Sequence, residues 1–196
     1  MELYDKLTLL YPAKHFSKSV TQTVIEEDDP QAVTRSITLE HSGTEVLKIN
    51  KTLFVAVRDT LAAASPIEVC DGAVAIEMPR HFIAYVELKS ACNANNVLKA
   101  RSQILASHIV MQAAAANCNI PLTPFIQKGI IVTQPITDET LTKARQRRQR
   151  DDDLKVNFSN ARFLLNLVDG KAVDKETGIP LVYAVAGEVL RLDALF

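Results

Sequence analysis

The chain has 196 residues, 47% hydrophobic and 23% charged, with a net charge of -1. That composition suits one α/β domain, and its balance excludes a global pull toward nucleic acid or anionic membrane, so any such affinity has to come from a local patch. No apolar run approaches the ~18 residues that span a bilayer, and three widely spaced cysteines (Cys70, Cys92, Cys118) fit neither a disulfide framework nor a CxxC zinc pattern.

In chain order, residues 1–20 open with Leu3, Leu7 and Leu10 at the spacing of a short amphipathic helix. Residues 21–30 predict a short strand that stops at the turn signal Asp28-Asp29-Pro30. Residues 35–52 predict a hairpin, with Ile37 and Leu39 on one side of His41-Ser42-Gly43-Thr44 and Val46, Leu47 and Ile49 on the other. A β-branched then Ala-rich stretch suits strand or helix; a helix over 53–64 is the preferred expectation. Two apolar runs, 67–77 and 82–90, flank Met78-Pro79-Arg80-His81 and predict a second hairpin. Asn96 is the expected N-cap of a long helix over 97–116, which has no Pro or Gly and is rich in Ala. A strand over 126–133 follows, closed by Pro135.

A helix between two strands is the crossover that parallel pairing requires. The expected fold class is therefore α/β, a central mixed sheet flanked by helices, in one domain. Residues 137–155 begin with a Thr137/Thr140 cap and then carry Lys143–Arg150, five basic residues in eight, before Asp151–Asp153. With no apolar face after Leu141, this stretch is a solvated helix end or a mobile loop. Residues 136–196 read as an extension packed on a core of about 45–135, with turns at Asp169-Gly170 and Thr177-Gly178. Reduced thiols and an N-terminus without a basic-then-apolar pattern point to the cytoplasm.

The chemistry concentrates in 67–90. Strand alternation puts Glu87 and Lys89 on one face and Val86 and Leu88 on the other. Asp71, in the first run, faces the same end of the hairpin. Charges embedded in Ile, Val, Ala, Phe and Tyr are costly unless paired or bound to metal. Mg2+ or Mn2+ takes oxygen ligands, typically one or two carboxylates with waters and phosphates. Asp71, Glu87 and the Leu88 carbonyl are the candidate ligands. Lys89 is placed to orient a metal-bound water or to stabilise charge on a phosphate.

An Asp on one strand and Glu-x-Lys on the next, then a helix and a strand, resembles the PD-(D/E)XK nuclease superfamily. The resemblance covers about residues 45–135. It implies a restriction-endonuclease-like αβββαβ core with N- and C-terminal additions, and Mg2+-dependent hydrolysis of DNA, endo- or exonucleolytic, of a restriction, repair or mobile-element type. Asp71, Glu87 and Lys89 take the motif positions, with Cys70 where many members carry proline. Gln103 is the candidate for the glutamine that some branches carry on the following helix, with Lys99 one turn earlier. For the acidic residue expected on the first core helix, Glu45 and Asp59 are the candidates.

Arg145, Arg147 and Arg148 of the basic run are candidate phosphate contacts, with a solvated helix end as the plainer reading. His15, His41, His81 and His108 lack metal-ligand spacing, and six glycines form no phosphate-cradling loop. DNA is the expected partner and a membrane is not. Two other functions fit the residues: a non-catalytic nucleic-acid- or protein-binding module of the same fold, and an oligomeric interaction protein, in its simplest form a homodimer, joined through the apolar segment 179–196.

Overall fold

A computed structural model describes residues 2–41, 43–61, 67–156 and 159–195. The chain runs α1 (Glu2–Leu7), β1 (Phe16–Ser19), β2 (Gln22–Glu26), β3 (Ser36–Glu40), β4 (Val46–Asn50), α2 (Lys51–Thr60), β5 (Gly72–Ile76) and β6 (Phe82–Lys89). It continues with α3 (Ala94–Asn117), β7 (Ile126–Thr133), α4 (Asp138–Asp153), α5 (Asn160–Val168), β8 (Leu181–Val185) and β9 (Val189–Arg191). The expected class holds: a mixed sheet flanked by helices.

Six strands form the central sheet in the order β1-β4-β5-β6-β7-β8. The first four pair antiparallel, and β6, β7 and β8 run parallel. The long helix α3 makes the crossover from β6 to β7; α4 and α5 make the next one. A second sheet, β2-β3-β9, joins an N-terminal hairpin to a C-terminal strand.

Both faces of the central sheet are covered. On one, Ala73, Ala75, Ile83, Tyr85 and Ile131 pack with Phe54, Ile104, Met111 and Leu164 from the helices. On the other, Val74, Ile76, Phe82, Val86, Leu88 and Val132 pack with Ile25, Ile37 and Leu39 of the small sheet. The molecule thus has three layers. Burial on both sides explains why β5 and β6 read as continuous apolar runs.

Several expected elements differ. Residues 36–40 and 46–50 are strands, but they do not form a hairpin: β3 pairs with β2 and β9, and β4 with β1 and β5. Gly43 does take a positive φ of 71°, so the chain turns there; it turns from one sheet into the other. Ser42 of that turn lies outside the described residues. The helix expected over 53–64 is α2, Lys51–Thr60, with 62–66 outside the described residues. Regular strand in 67–77 begins only at Gly72. The segment before it is irregular and held by α3: the Cys70 amide donates to Ser107 Oγ at 2.8 Å, and Gln103 Nε2 donates to the Val69 carbonyl at 3.3 Å.

The N-cap of α3 is Asn93, not Asn96; its Oδ1 accepts from the Asn96 amide at 3.0 Å. The stretch 138–153 is one continuous helix, with Thr137 as its N-cap and only Ala144 buried. The C-terminal segment is not spare apolar surface. Ile179, Leu181, Ala184, Leu192 and Leu195 are buried within the chain.

A carboxylate–lysine cluster at the ends of β5 and β6

The cluster follows from register. Gly72 pairs with Val86 on β6 and with Asn50 on β4. Asp71, one residue earlier, therefore lies beside Glu87 on one side and Lys51, the first residue of α2, on the other. The Asp71 amide donates to the Val86 carbonyl at 3.1 Å, which extends the ladder by one bond. Glu87 shares a face of β6 with Ile83 and Tyr85, toward the helices.

Asp71 is 4% exposed and Glu87 0%. Both Asp71 oxygens are engaged: Oδ1 accepts from Lys51 Nζ at 2.8 Å and Oδ2 from the Leu88 amide at 2.9 Å. Lys89 Nζ contacts Glu87 Oε1. Lys51 Nζ also lies 3.6 Å from Oε1 of Glu27, just past β2. Three carboxylates thus meet two ammonium groups.

Burial raises the Asp71 pKa, partly offset by Lys51 and the Leu88 amide. Glu87 goes further, to about 8: burial pushes it up, the charge of Asp71 adds to that, and Lys89 opposes. The Glu87–Lys89 contact by itself suggests a simple ion pair. Burial outweighs the Lys89 contact: Glu87 Oε2 is enclosed and has no hydrogen-bond partner among the described residues. Burial disfavours the Lys51 ammonium, yet Asp71 and Glu27 outweigh it and keep its pKa above the ordinary lysine value. Lys51 is therefore charged at neutral pH.

The orphaned Oε2 is the observation against which a cation can be tested. A buried carboxylate oxygen without a donor is costly in isolation and suits a metal. Asp71, Glu87 and the Leu88 carbonyl supply the hard oxygen donors that Mg2+ or Mn2+ takes. The donor chemistry fits. Among the described residues no group of three or more His, Cys, Asp or Glu side chains is placed to share one ion, so protein carboxylates alone do not complete a coordination sphere.

The other expected residues are placed as follows. Gln103 is buried, its amide on the Val69 carbonyl and its Oε1 without a partner among the described residues. Lys99 is turned to Glu68, 2.9 Å away at the surface. Arg145, Arg147 and Arg148 are exposed on α4; Arg148 lies 3.7 Å from Asp152, and Arg145 and Arg148 line a shallow recess with Gln149 and Asp169. Neither candidate for the helix-borne acid reaches the cluster: Glu45 pairs with Lys18 at 3.2 Å and Asp59 with Arg58 at 2.7 Å. The third carboxylate of the cluster is instead Glu27, which reaches it through Lys51. Its place in Glu26-Glu27-Asp28-Asp29-Pro30 reads as turn chemistry, and Lys51 reads as the end of a strand. The packing of the small sheet on the central sheet brings the two together.

No family model, curated protein or solved structure matches this chain.

Proposed function

We propose that this chain is a divalent-metal-dependent nuclease that hydrolyses DNA phosphodiester bonds on a restriction-endonuclease-like core. The observation that carries the reading is the meeting of Asp71, Glu87 and Lys89 at adjoining strand ends, with a buried Glu87 oxygen left without a partner among the described residues. The topology supports it. The antiparallel series β4-β5-β6, the α3 crossover and the parallel β7 follow the βββαβ order that the motif resemblance implies. A departure is that α2 lies between β4 and β5 rather than ahead of all three strands.

In this reading Asp71, Glu87 and the Leu88 carbonyl would hold Mg2+ or Mn2+, which when bound supplies an activated water and neutralises charge on the phosphate. The chain's own groups do the rest. Asp71 is fixed by the Leu88 amide, so its free lone pairs keep one direction. Lys89, whose side chain is 14% exposed, donates to the attacking water or to a non-bridging phosphate oxygen and stabilises the charge that grows there. Gln103, anchored through its amide nitrogen, offers Oε1 to orient a water. Arg145, Arg147 and Arg148 supply sequence-independent phosphate contacts.

The test is Lys89→Ala. It should leave the circular dichroism spectrum unchanged and lower nicking of plasmid DNA in Mg2+ by at least about a hundredfold. Undiminished cleavage by the folded variant would sink the assignment.

One observation favours a second reading, a non-catalytic DNA- or protein-binding module. Each of the two central carboxylates already carries a lysine ammonium. Titration with Mn2+ decides between them: no binding, and no nicking of single- or double-stranded DNA, supports the module.

A further inference from the structure

Lys51 has no part in the motif described above, yet it is built into the cluster. The residue before it is fixed twice. Asn50 pairs with Gly72 in the ladder, and the Asn50 side chain donates to the Lys14 carbonyl at 3.2 Å. The ammonium leaves this anchored point and lies between Asp71 Oδ1, at 2.8 Å, and Glu27 Oε1, at 3.6 Å. It lies on the side of Asp71 away from Glu87, because β4 and β6 flank β5. The buried Glu87 Oε2, without a partner among the described residues, belongs to the other side. The two halves of the cluster therefore differ: on one side Lys51 lies between two carboxylates, whereas on the other Lys89 engages only Oε1 of Glu87 and leaves Oε2 without a hydrogen-bond partner among the described residues.

Charge points the same way. Asp71, Glu87 and Glu27 sum to three negative charges when ionised, and Lys51 and Lys89 to two positive. One divalent ion turns this local excess of one negative charge into one positive, matched to a phosphodiester. A second ion would leave three positive charges in a site of low exposure, which is costly.

We propose that Lys51 is the fixed second cation of this site: its ammonium takes, between Asp71 and Glu27, the place a second divalent ion would occupy, and so restricts the site to one ion beside Glu87. Lys51 is in this sense a positioning residue that sets metal stoichiometry. The proposal rests on the metal-site reading above. It differs from simple competition, in which an arriving ion would expel Lys51 from Asp71.

Mn2+ binding to the full chain, measured by titration calorimetry and by electron paramagnetic resonance of the free ion, gives the test. The wild-type protein should bind one Mn2+ per chain. Lys51→Met, which keeps the aliphatic stem and removes the charge, should bind two. One ion in both proteins, or two in the wild type, overturns the proposal and leaves the metal site standing. No binding to either protein overturns the metal-site reading, and the proposal with it.

A measurement on the wild-type chain covers the case in which Lys51→Met does not fold. Amine labelling followed by mass spectrometry should modify Lys51 more slowly than the exposed Lys171, both without Mn2+ and at saturation. Faster labelling of Lys51 once Mn2+ is bound shows that the ammonium is expelled, and rejects the proposal.

Discussion

Glu87 shows how far one side chain can be moved from its solution behaviour. It has no exposure, a like charge beside it in Asp71, and opposing ammonium groups in Lys89 and Lys51, and its carboxyl is pushed up to about 8. The ordinary value in an unfolded chain is about 4.5. The folded state thus holds this proton more tightly than the unfolded state does. That stabilisation is complete below about pH 4.5 and is lost as pH rises through about 8. With chelator present, the melting temperature of the wild type should therefore fall from about pH 5 to about pH 9 relative to that of Glu87→Gln, which carries no titrating proton there. Parallel profiles would show that Lys89 keeps Glu87 ionised throughout.

The spacing of Asp71, Glu87 and Lys89 was legible because alternation along a strand is a local rule. Glu27 and Lys51 were not, because no local rule links a turn acid to the first residue of a helix more than twenty positions away. The signal that exists, four acidic residues before Pro30, is also that of an ordinary turn.

At the level of elements, the α3–β7 contact is set by Gly129. A Cβ there would stand 2.4 Å from Leu181 Cδ2 and 2.9 Å from Ile104 Cγ2. A side chain forces apart α3, β7 and β8 at one point. Gly129→Val should cost about 1–3 kcal/mol by overpacking, read as a lower urea midpoint with the same m-value. An unchanged midpoint would mean that Leu181 and Ile104 re-orient freely. Because α3 holds the segment before Asp71 through Gln103 and Ser107, the same variant should also weaken Mn2+ binding.

Elements were read from the sequence more reliably than their pairing. The strand over 126–133 matches β7 residue for residue, and α3 exceeds its expected span by three residues at the start and one at the end. The 35–52 hairpin failed for a physical reason. Gly43 supplies a real reversal, but β3 and β4 both have buried residues to place. Each finds a better partner outside the pair, β3 in the small sheet and β4 beside β5. Turn chemistry fixes where a chain reverses; it does not fix which sheet each arm joins.

The whole molecule is held together by segments far apart in sequence. Parallel β9 extends the β2-β3 hairpin, and Leu192 and Leu195 pack under the central sheet with Ile25, Ile37 and Val132. Leu192→Ala should therefore destabilise the fold by about 2–5 kcal/mol while leaving the mass by light scattering unchanged. A change of mass with unaltered stability would instead identify 179–196 as an oligomer surface. The expectation that this segment is available for association came from its apolar composition alone. Composition does not distinguish a residue that faces a partner from one that faces the chain's own interior.

The small sheet has a bearing on the order in which the fold is completed during synthesis. Glu27 follows β2, and its amide is tied to Arg35 beside β3, so both belong to the layer that β9 completes. A chain emerging from the ribosome has Asp71, Glu87 and Lys51 long before it has Val189–Arg191. Until that last strand docks, one edge of the layer beneath the cluster is open. The central sheet likewise lacks the Lys128 side-chain contact to the Leu195 carbonyl that pins the tail. An unfinished chain thus holds Asp71, Glu87 and Lys51 before the layer that carries Glu27 is complete.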